Sequence, residues 1–120
     1  MPTIKTRPLK ESDIQAAFVQ WLRLQHPSIW FHHSANEGDF PVQYRVKLKK
    51  IGQCKGWPDL EILLGDRVCF MEFKTPKGRL SENQKLFQEY CIKNGIPHAV
   101  PRSTKQAIDI FEDWLGHLNT

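Results

Sequence analysis

The chain has 120 residues, 40% of them hydrophobic and 25% charged, a composition typical of a folded soluble protein and unlike that of a disordered or fibrous one. Its apolar runs fall short of the roughly 20 residues that span a bilayer, and its first residues lack the apolar core of a signal peptide. We therefore expect a cytoplasmic protein with a short N-terminal arm over 1–9 and one folded domain over 10–120.

The charge balance is modestly basic, with 17 Lys and Arg against 13 Asp and Glu and a formal net charge of +4. This bias is compatible with a polyanionic partner, although many proteins without such a partner share it. Basic residues cluster between Arg45 and Lys55, where no acidic residue intervenes, and again from Lys74 to Arg79. Taken alone, either cluster could equally be an ordinary solvated face.

The three cysteines predict no metal or disulfide framework. Cys54, Cys69 and Cys91 are odd in number, widely separated and without a C-x-x-C pair, which argues against both a disulfide scaffold and a zinc knuckle. Reduced thiols fit this pattern best, and we expect Cys69 in the core.

The first predicted element is an amphipathic helix over 10–25, which ends before Pro27. Its apolar residues recur at helical spacing: Ile14, Ala17, Phe18, Trp21 and Leu22. Glu11 lies at the N-terminal end of this buried stripe, where it could simply stabilise the helix dipole. The alternative is that Glu11 faces a functional site.

The next segment contains a short strand over 29–33, a polar turn over 34–39 and a basic stretch that reaches Gly52. Apolar residues of the basic stretch fit a helical period, but they also alternate like a strand, and we favour the helix. Gly52 and Gly56 then bracket an approach to Trp57-Pro58-Asp59, where glycine permits a tight backbone path.

Two β-rich runs, over 60–64 and 67–75, are joined by Gly65-Asp66 and predict an antiparallel hairpin at the centre of a sheet. Ser81-x-x-Gln84 is a capping-box pattern before a helix through Ile92, a strand follows over 96–100, and Ser103-x-x-Gln106 begins a last helix. The predicted fold is α/β, a small mixed β-sheet flanked by helices in the order α-β-(α)-β-β-α-β-α.

Charged residues end one face of the second hairpin strand. Glu72 and Lys74 project to the same side because strand side chains alternate, and buried charges are costly unless they are paired or bound to metal. Pairing across the turn places Asp59 opposite Glu72. Two adjacent carboxylates repel without a cation, and such oxygen ligands suit Mg²⁺ or Mn²⁺. The simpler alternative is a plain Glu72–Lys74 ion pair.

These motifs resemble the VRR-NUC branch of the PD-(D/E)xK, restriction-endonuclease-like superfamily. Asp59 followed after twelve residues by Glu72-Phe73-Lys74 is similar to its catalytic signature, and Phe73 and Met71 keep the apolar character of the family's usual Val and Ile. The other resembling residues are Glu11, Asn36-Glu37-Gly38, Gly52-x-x-x-Gly56-x-Pro58-Asp59-Leu60, Met71-Glu72-Phe73-Lys74-Thr75, Gly78-Arg79-Leu80-Ser81-x-x-Gln84 and Pro101-Arg102-Ser103.

The resemblance implies a restriction-endonuclease-like core and a Mg²⁺- or Mn²⁺-dependent DNA endonuclease. Glu11, Asp59 and Glu72 would then bind the metal, with the Phe73 carbonyl as a possible extra ligand. Lys74 would act in catalysis, and Gln84 would either support the centre or only cap its helix. The basic residues expected to contact DNA phosphates are Arg45, Lys47, Lys55, Lys77 and Arg79.

The small stand-alone bacterial and phage members of this family look like dimeric Holliday-junction resolvases, so the resemblance implies a homodimer that cleaves four-way junctions. A flap or general DNA nuclease within a repair or packaging assembly is the nearest alternative. From other classes, the chain could be a non-catalytic nucleic-acid-binding module or a structural protein with a simple ion pair.

Other candidate features are weaker. His32-His33 with Asn36 could suggest a histidine metal site, but adjacent strand residues point to opposite faces. Trp57 is the one aromatic residue that we consider for DNA contact. The remaining large aromatics at helical spacings are expected in the core or at a dimer contact: Trp21, Tyr90, Phe111 and Trp114.

Overall fold

The structure is a computed structural model that describes residues 7–35 and 40–118. Its elements follow the predicted order: α1 (Glu11–Gln25), β1 (Phe31–His33), α2 (Val42–Lys50), β2 (Leu60–Leu64), β3 (Arg67–Met71), α3 (Glu82–Lys93), β4 (His98–Ala99) and α4 (Thr104–Leu118). The prediction of a helix over the basic stretch is confirmed by α2. Asn36-Glu37-Gly38 lies outside the described residues.

The four strands form one mixed sheet in the order β1-β2-β3-β4. The β1–β2 and β2–β3 pairs are antiparallel, and β4 runs parallel to β3. The hairpin register pairs Leu60 with Met71 and Leu64 with Arg67, as its two-residue turn predicts. The residues just beyond the hairpin, Asp59 and Glu72, therefore lie next to each other.

The main core lies between one face of the sheet and the helices α1 and α4. Helix α1 buries Ile14, Phe18 and Leu22 at a spacing of four residues, which places them on one face of the helix. The ring of Phe18 lies 5.9 Å from that of Phe73 and 6.2 Å from that of Phe111 of α4. This packing anchors α1, and with it Glu11, against the end of the hairpin.

The second face of the sheet carries a smaller aromatic cluster beneath α3. The Phe70 ring lies 5.5 Å from Trp57 and 5.1 Å from Phe87 of α3, both edge-on. The cluster ties the loop before Asp59 to α3. Tyr90, on the same helix, is 60% exposed, so of its two predicted places the core is wrong and the dimer contact stays a prediction.

Strands β3 and β4 are shorter than predicted. Strand β3 ends at Met71 instead of 75, and β4 spans two residues instead of 96–100. Pro97 and Pro101 lack an N–H and cannot donate to β3, but their carbonyl groups still accept: Phe70 N donates to Pro97 O, Glu72 N to Ala99 O and Lys74 N to Pro101 O. Main-chain bonds therefore still fix the backbone through Lys74.

Strand β1 begins two residues later than predicted, because a turn precedes it in which Ile29 N donates to His26 O.

No helix within the described residues is long and apolar enough to cross a membrane.

Candidate active site

Asp59 and Glu72 form the centre of the candidate site, immediately before β2 and immediately after β3. The backbone N–H of Asp59 donates to Glu72 Oε2 at 3.1 Å, and the N–H of Phe73 donates to Asp59 Oδ2 at 2.8 Å. Each carboxylate is thus bound to the backbone of the opposite strand. The hairpin register fixes the pair.

Burial changes the protonation of both carboxyl groups. Burial raises the pKa of Glu72 to about 8, and the neighbouring charge of Asp59 raises it as well, while Lys74 acts in the opposite direction. Burial also raises the pKa of Asp59, which the hydrogen bond from Phe73 lowers in part. The pair therefore cannot readily hold two negative charges near neutral pH unless a cation joins it.

Lys74 lies between the carboxylate pair and the first helix. Lys74 is only 8% exposed, and its Nζ is 3.8 Å from Glu72 Oε1 and 3.7 Å from Glu11 Oε1. The helix packing described above brings Glu11 to this position, with its side chain 45% exposed. Glu11 therefore faces the candidate site rather than only stabilising the helix dipole.

Gln84 of α3 makes two kinds of contact with a single side chain. Its side-chain Oε1 accepts a hydrogen bond from the backbone N–H of Ser81 at 2.8 Å. The backbone N–H of Gln84 donates in turn to Ser81 Oγ, which completes the predicted capping box. Its Nε2 donates to Glu72 Oε1 at 2.6 Å. The two alternatives from the sequence are therefore not exclusive, because the helix cap aims the amide at the carboxylate.

Two clefts meet at Asp59. The smaller, of about 580 Å³, is lined by Asp59, Lys74 and Gln84 and by the basic residues Lys55 and Arg79. The larger, of about 1000 Å³, lies between α1 and β1 and reaches Asp59 from the other side. Asp59 is thus accessible to an extended ligand from two directions.

The donor chemistry of the site suits a hard divalent cation, since Asp59 and Glu72 offer carboxylate oxygens. Within residues 7–35 and 40–118, however, no three His, Cys, Asp or Glu side chains are close enough to form a ready metal cluster. Glu11 contacts Lys74 instead of completing such a group. The arrangement fits a metal with two carboxylates in place.

Comparison with protein-family models decides the family. The model described as the VRR-NUC domain matches residues 3–105. The chain belongs to the VRR-NUC domain family. This membership supports a nuclease-type function, and the PD-(D/E)xK superfamily is consistent with it.

Solved structures agree with the VRR-NUC fold. A structure titled "VRR_NUC domain protein" is similar with a TM-score of 0.75 and 22% identity, over 92% of each chain. Another, titled "VRR_NUC domain", has a TM-score of 0.62 and 20% identity, over 88% of this chain and 97% of that one. A comparison with curated proteins gave no match.

The basic residues predicted to contact DNA divide into two groups in this VRR-NUC chain. Lys55 and Arg79 line the smaller cleft. Arg45 and Lys47 lie on α2, which buries no residue, and Lys77 is exposed in the turn after β3. None of the second group lines either cleft.

Glu61 is a residue of the candidate site that the sequence motif left out. It lines the smaller cleft, and its Oε1 accepts hydrogen bonds from Trp57 Nε1 and from Ser34 Oγ. It follows Asp59 by two residues at the start of β2, so alternation along the strand could have placed it on the same face. Trp57 is consequently fixed beside the cleft, 39% exposed.

Two further contacts had no local signal in the sequence. His33 Nδ1 lies 2.7 Å from Asp59 O and 2.9 Å from Gln15 Nε2, which ties β1 and α1 to the site. Arg102 Nη1 donates to Thr75 O at 2.8 Å and to Gly78 O at 2.6 Å. Arg102 therefore holds the turn over 75–79, called the basic turn below, which carries Lys77 and Arg79.

The loop before Asp59 depends on Gly56. Its φ of +87° favours glycine, and an added Cβ would lie 2.6–2.8 Å from side-chain and backbone atoms of Asn83 in α3. This close approach sets the wall of the smaller cleft. Gly52 also has a positive φ, of +114°, but nothing lies within 4 Å of its missing Cβ.

Proposed function

We propose that this chain is a Mg²⁺- or Mn²⁺-dependent, structure-selective DNA endonuclease that hydrolyses phosphodiester bonds in branched DNA. The observation that carries the proposal is the pair of half-buried Asp59 and buried Glu72 beside Lys74, with Asp59 at the point where two clefts meet. A structural ion pair needs one carboxylate for one lysine. Here a second, half-buried carboxylate, that of Asp59, adds repulsion, which a bound cation would relieve.

The metal would be held by Asp59 and Glu72, with Glu11 and the Phe73 carbonyl as further ligands. When bound, it supplies Lewis-acid stabilisation of charge on the phosphate and a water molecule of lowered pKa. The amide of Gln84 holds Glu72 in one orientation through the 2.6 Å hydrogen bond. The backbone N–H of Phe73 does the same for Asp59.

Lys74 supplies a fixed positive charge. Its ammonium group is nearly buried and lies between Glu72 and Glu11. In this water-poor position the charge can orient an attacking water molecule and stabilise the negative charge that develops on the phosphate, without prior reorganisation. Burial strengthens this effect because the local dielectric constant is low.

The basic residues would bind the DNA backbone. Lys55 and Arg79 contact phosphates nearest the cut, and Arg45, Lys47 and Lys77 extend the contact beyond the cleft. Phosphate contacts of this kind position the duplex without reading its sequence, and binding through them weakens as salt rises. DNA shape is then what the enzyme recognises.

The substrate implied by the family resemblance is the four-way junction, cut by a homodimer. Two active sites related by a twofold axis suit paired cuts in symmetric strands. A flap nuclease acting within a repair or packaging assembly is the second candidate, and the larger cleft at Asp59, which extends away along α1, favours it.

The test is cleavage of labelled four-way junctions, flaps and linear duplex in Mg²⁺ or Mn²⁺, with sedimentation to measure the oligomeric state. Asp59→Asn and Lys74→Gln should each reduce cleavage by at least about 100-fold while DNA binding is retained. Lys105→Gln is the charge-matched control, because Lys105 pairs with Asp109 on the exposed face of α4.

The possible outcomes separate the alternatives. Tight binding with no cleavage of any substrate would favour a non-catalytic binding module. Cleavage of flaps but not junctions would remove the resolvase function and leave the nuclease. Cleavage that survives Asp59→Asn would show that the proposed centre is wrong.

A further inference from the structure

The larger cleft runs along the first helix. Its end at Glu11 and Asp59 belongs to the candidate site, but the rest of it has no part in the sequence motif. We call it the α1–β1 groove. One wall includes Lys10, the N-cap of α1, and Gln15 and Arg23 of the helix itself, and the other includes Phe31 and His33 of β1. The helix rises about 1.5 Å per residue, so the groove extends roughly 18 Å from Glu11 to Arg23. A stacked strand of about five nucleotides has this length, at about 3.4 Å per nucleotide.

The charges of the groove suit a polyanion. Among the described residues that line it, the acidic side chains are Glu11 and Asp59, and both lie at the candidate active site. Lys10 flanks that end. Arg23 lies near the far end, with its guanidinium 5.4 Å above the centre of the Phe31 ring. The Phe31 ring thus holds the positive charge of Arg23 in place. This charge lies roughly 18 Å along α1 from Glu11, which marks the end of the groove at the candidate active site.

The groove is also partly apolar, and this favours a single strand over a duplex as its ligand. Ala16, Val19, Phe31 and Leu60 line it alongside the basic side chains. A duplex presents mainly phosphates and sugars, which gain little from an apolar surface. A single strand exposes its bases, and single-strand sites combine basic grooves with apolar and aromatic surfaces.

We propose that the α1–β1 groove binds a single-stranded DNA segment that leads away from the phosphate positioned at Asp59. Arg23 contacts a phosphate of this segment, and the bases lie against Ala16 and Val19. The inference rests on the proposed nuclease function for the placement of the strand. It deepens that function by favouring branched DNA with a single-stranded arm over a fully paired junction.

The direct test is binding without divalent metal, measured by fluorescence anisotropy with a labelled ten-nucleotide single strand and with a duplex of equal length. Arg23→Gln should weaken binding to the single strand about tenfold, as expected for the loss of one charged phosphate contact, and should change duplex binding less than twofold. The slope of log affinity against log salt should fall by about 0.7 for the single strand.

Arg67→Gln is the matched control. Arg67 is an exposed arginine at the hairpin turn, outside both clefts, so its loss changes the net charge equally without touching the groove. If Arg23→Gln weakens single-strand and duplex binding by the same factor, or resembles Arg67→Gln, the groove inference is overturned.

A cleavage assay separates this inference from the proposed function. For an active wild type, Arg23→Gln should raise the KM for a flap more than the KM for a four-way junction. If the wild type cuts no DNA but Arg23→Gln still loses single-strand binding selectively, the nuclease proposal fails and the groove is supported. If the wild type cuts and the two KM values change equally, the groove inference fails and the nuclease stands.

Discussion

Raising the pH should destabilise the metal-free protein, because Glu72 must ionise in a buried position beside Asp59. Burial holds the pKa of Glu72 at about 8 in the folded chain, against an ordinary value of 4.5. Between these two values the folded state binds a proton that the unfolded state has released. Stability is therefore fully retained below the lower value and is lost as the pH rises towards the higher one.

The size of the effect follows from the difference between the two pKa values. At about 1.4 kcal/mol per pH unit, moving from 4.5 to about 8 costs about 5 kcal/mol of unfolding free energy. The pKa of Asp59 is raised in the same direction, so it adds to this loss. The total free energy of unfolding of a native protein is only about 5–15 kcal/mol, so the metal-free protein should be markedly less stable at pH 8 than at pH 5.

The assay is urea unfolding in a chelating buffer at several pH values between about 5 and 8, the range set by the two pKa values. Glu72→Gln, which cannot ionise, should flatten the dependence of unfolding free energy on pH. Glu89→Gln, an exposed substitution on α3, is the control and should leave it unchanged. Adding Mg²⁺ or Mn²⁺ at pH 8 should restore stability to the wild type but not to Glu72→Gln.

Two results would refute this reasoning. A wild type that becomes more stable as the pH rises would mean that the pKa of the buried carboxyl groups is lowered instead of raised. A slope that persists unchanged in Glu72→Gln would assign the proton to a different group.

Other expected outcomes concern the loop, the helix cap and the basic turn. Gly56→Ala should lower the melting temperature clearly more than Gly52→Ala, since both substitutions bear the strain of a positive φ, about 1–3 kcal/mol, but only the first collides with α3. Gln84→Ala should reduce cleavage by more than tenfold, whereas Gln106→Ala, which removes a side-chain hydrogen bond to the backbone N–H of Arg102 just before α4, should cost only about 1 kcal/mol of stability. Arg102→Gln should raise the KM for DNA more than it lowers kcat, because the turn it holds carries phosphate-binding side chains; equal effects on both constants would contradict that role.

The hairpin was predictable because local chemistry determines it. Gly65-Asp66 sets a two-residue turn, the turn sets the register, and the register places Asp59 beside Glu72. The helices were predictable from apolar spacing and capping boxes for the same reason. Long-range contacts are not needed to read any of these features.

The features that the sequence could not reveal depend on distant segments. The shortness of β4 follows from which of its residues face β3, where proline removes donors. The contact from Gln84 to Glu72 depends on how α3 docks, and the contact from Arg102 to the basic turn joins residues more than twenty positions apart. The roles of Glu11, Lys74 and the other site residues in catalysis stay predictions.

The parallel pairing between β3 and the segment around β4 has a consequence for the order in which the molecule is built. The hairpin needs only residues 60–71, so it can form as soon as that part of the chain leaves the ribosome. The backbone of Glu72 and Lys74, however, is held by carbonyl groups of Ala99 and Pro101. A growing chain therefore has the strands of the site well before it has the site itself, and any nuclease activity should appear only after residues 99–101 have left the ribosome.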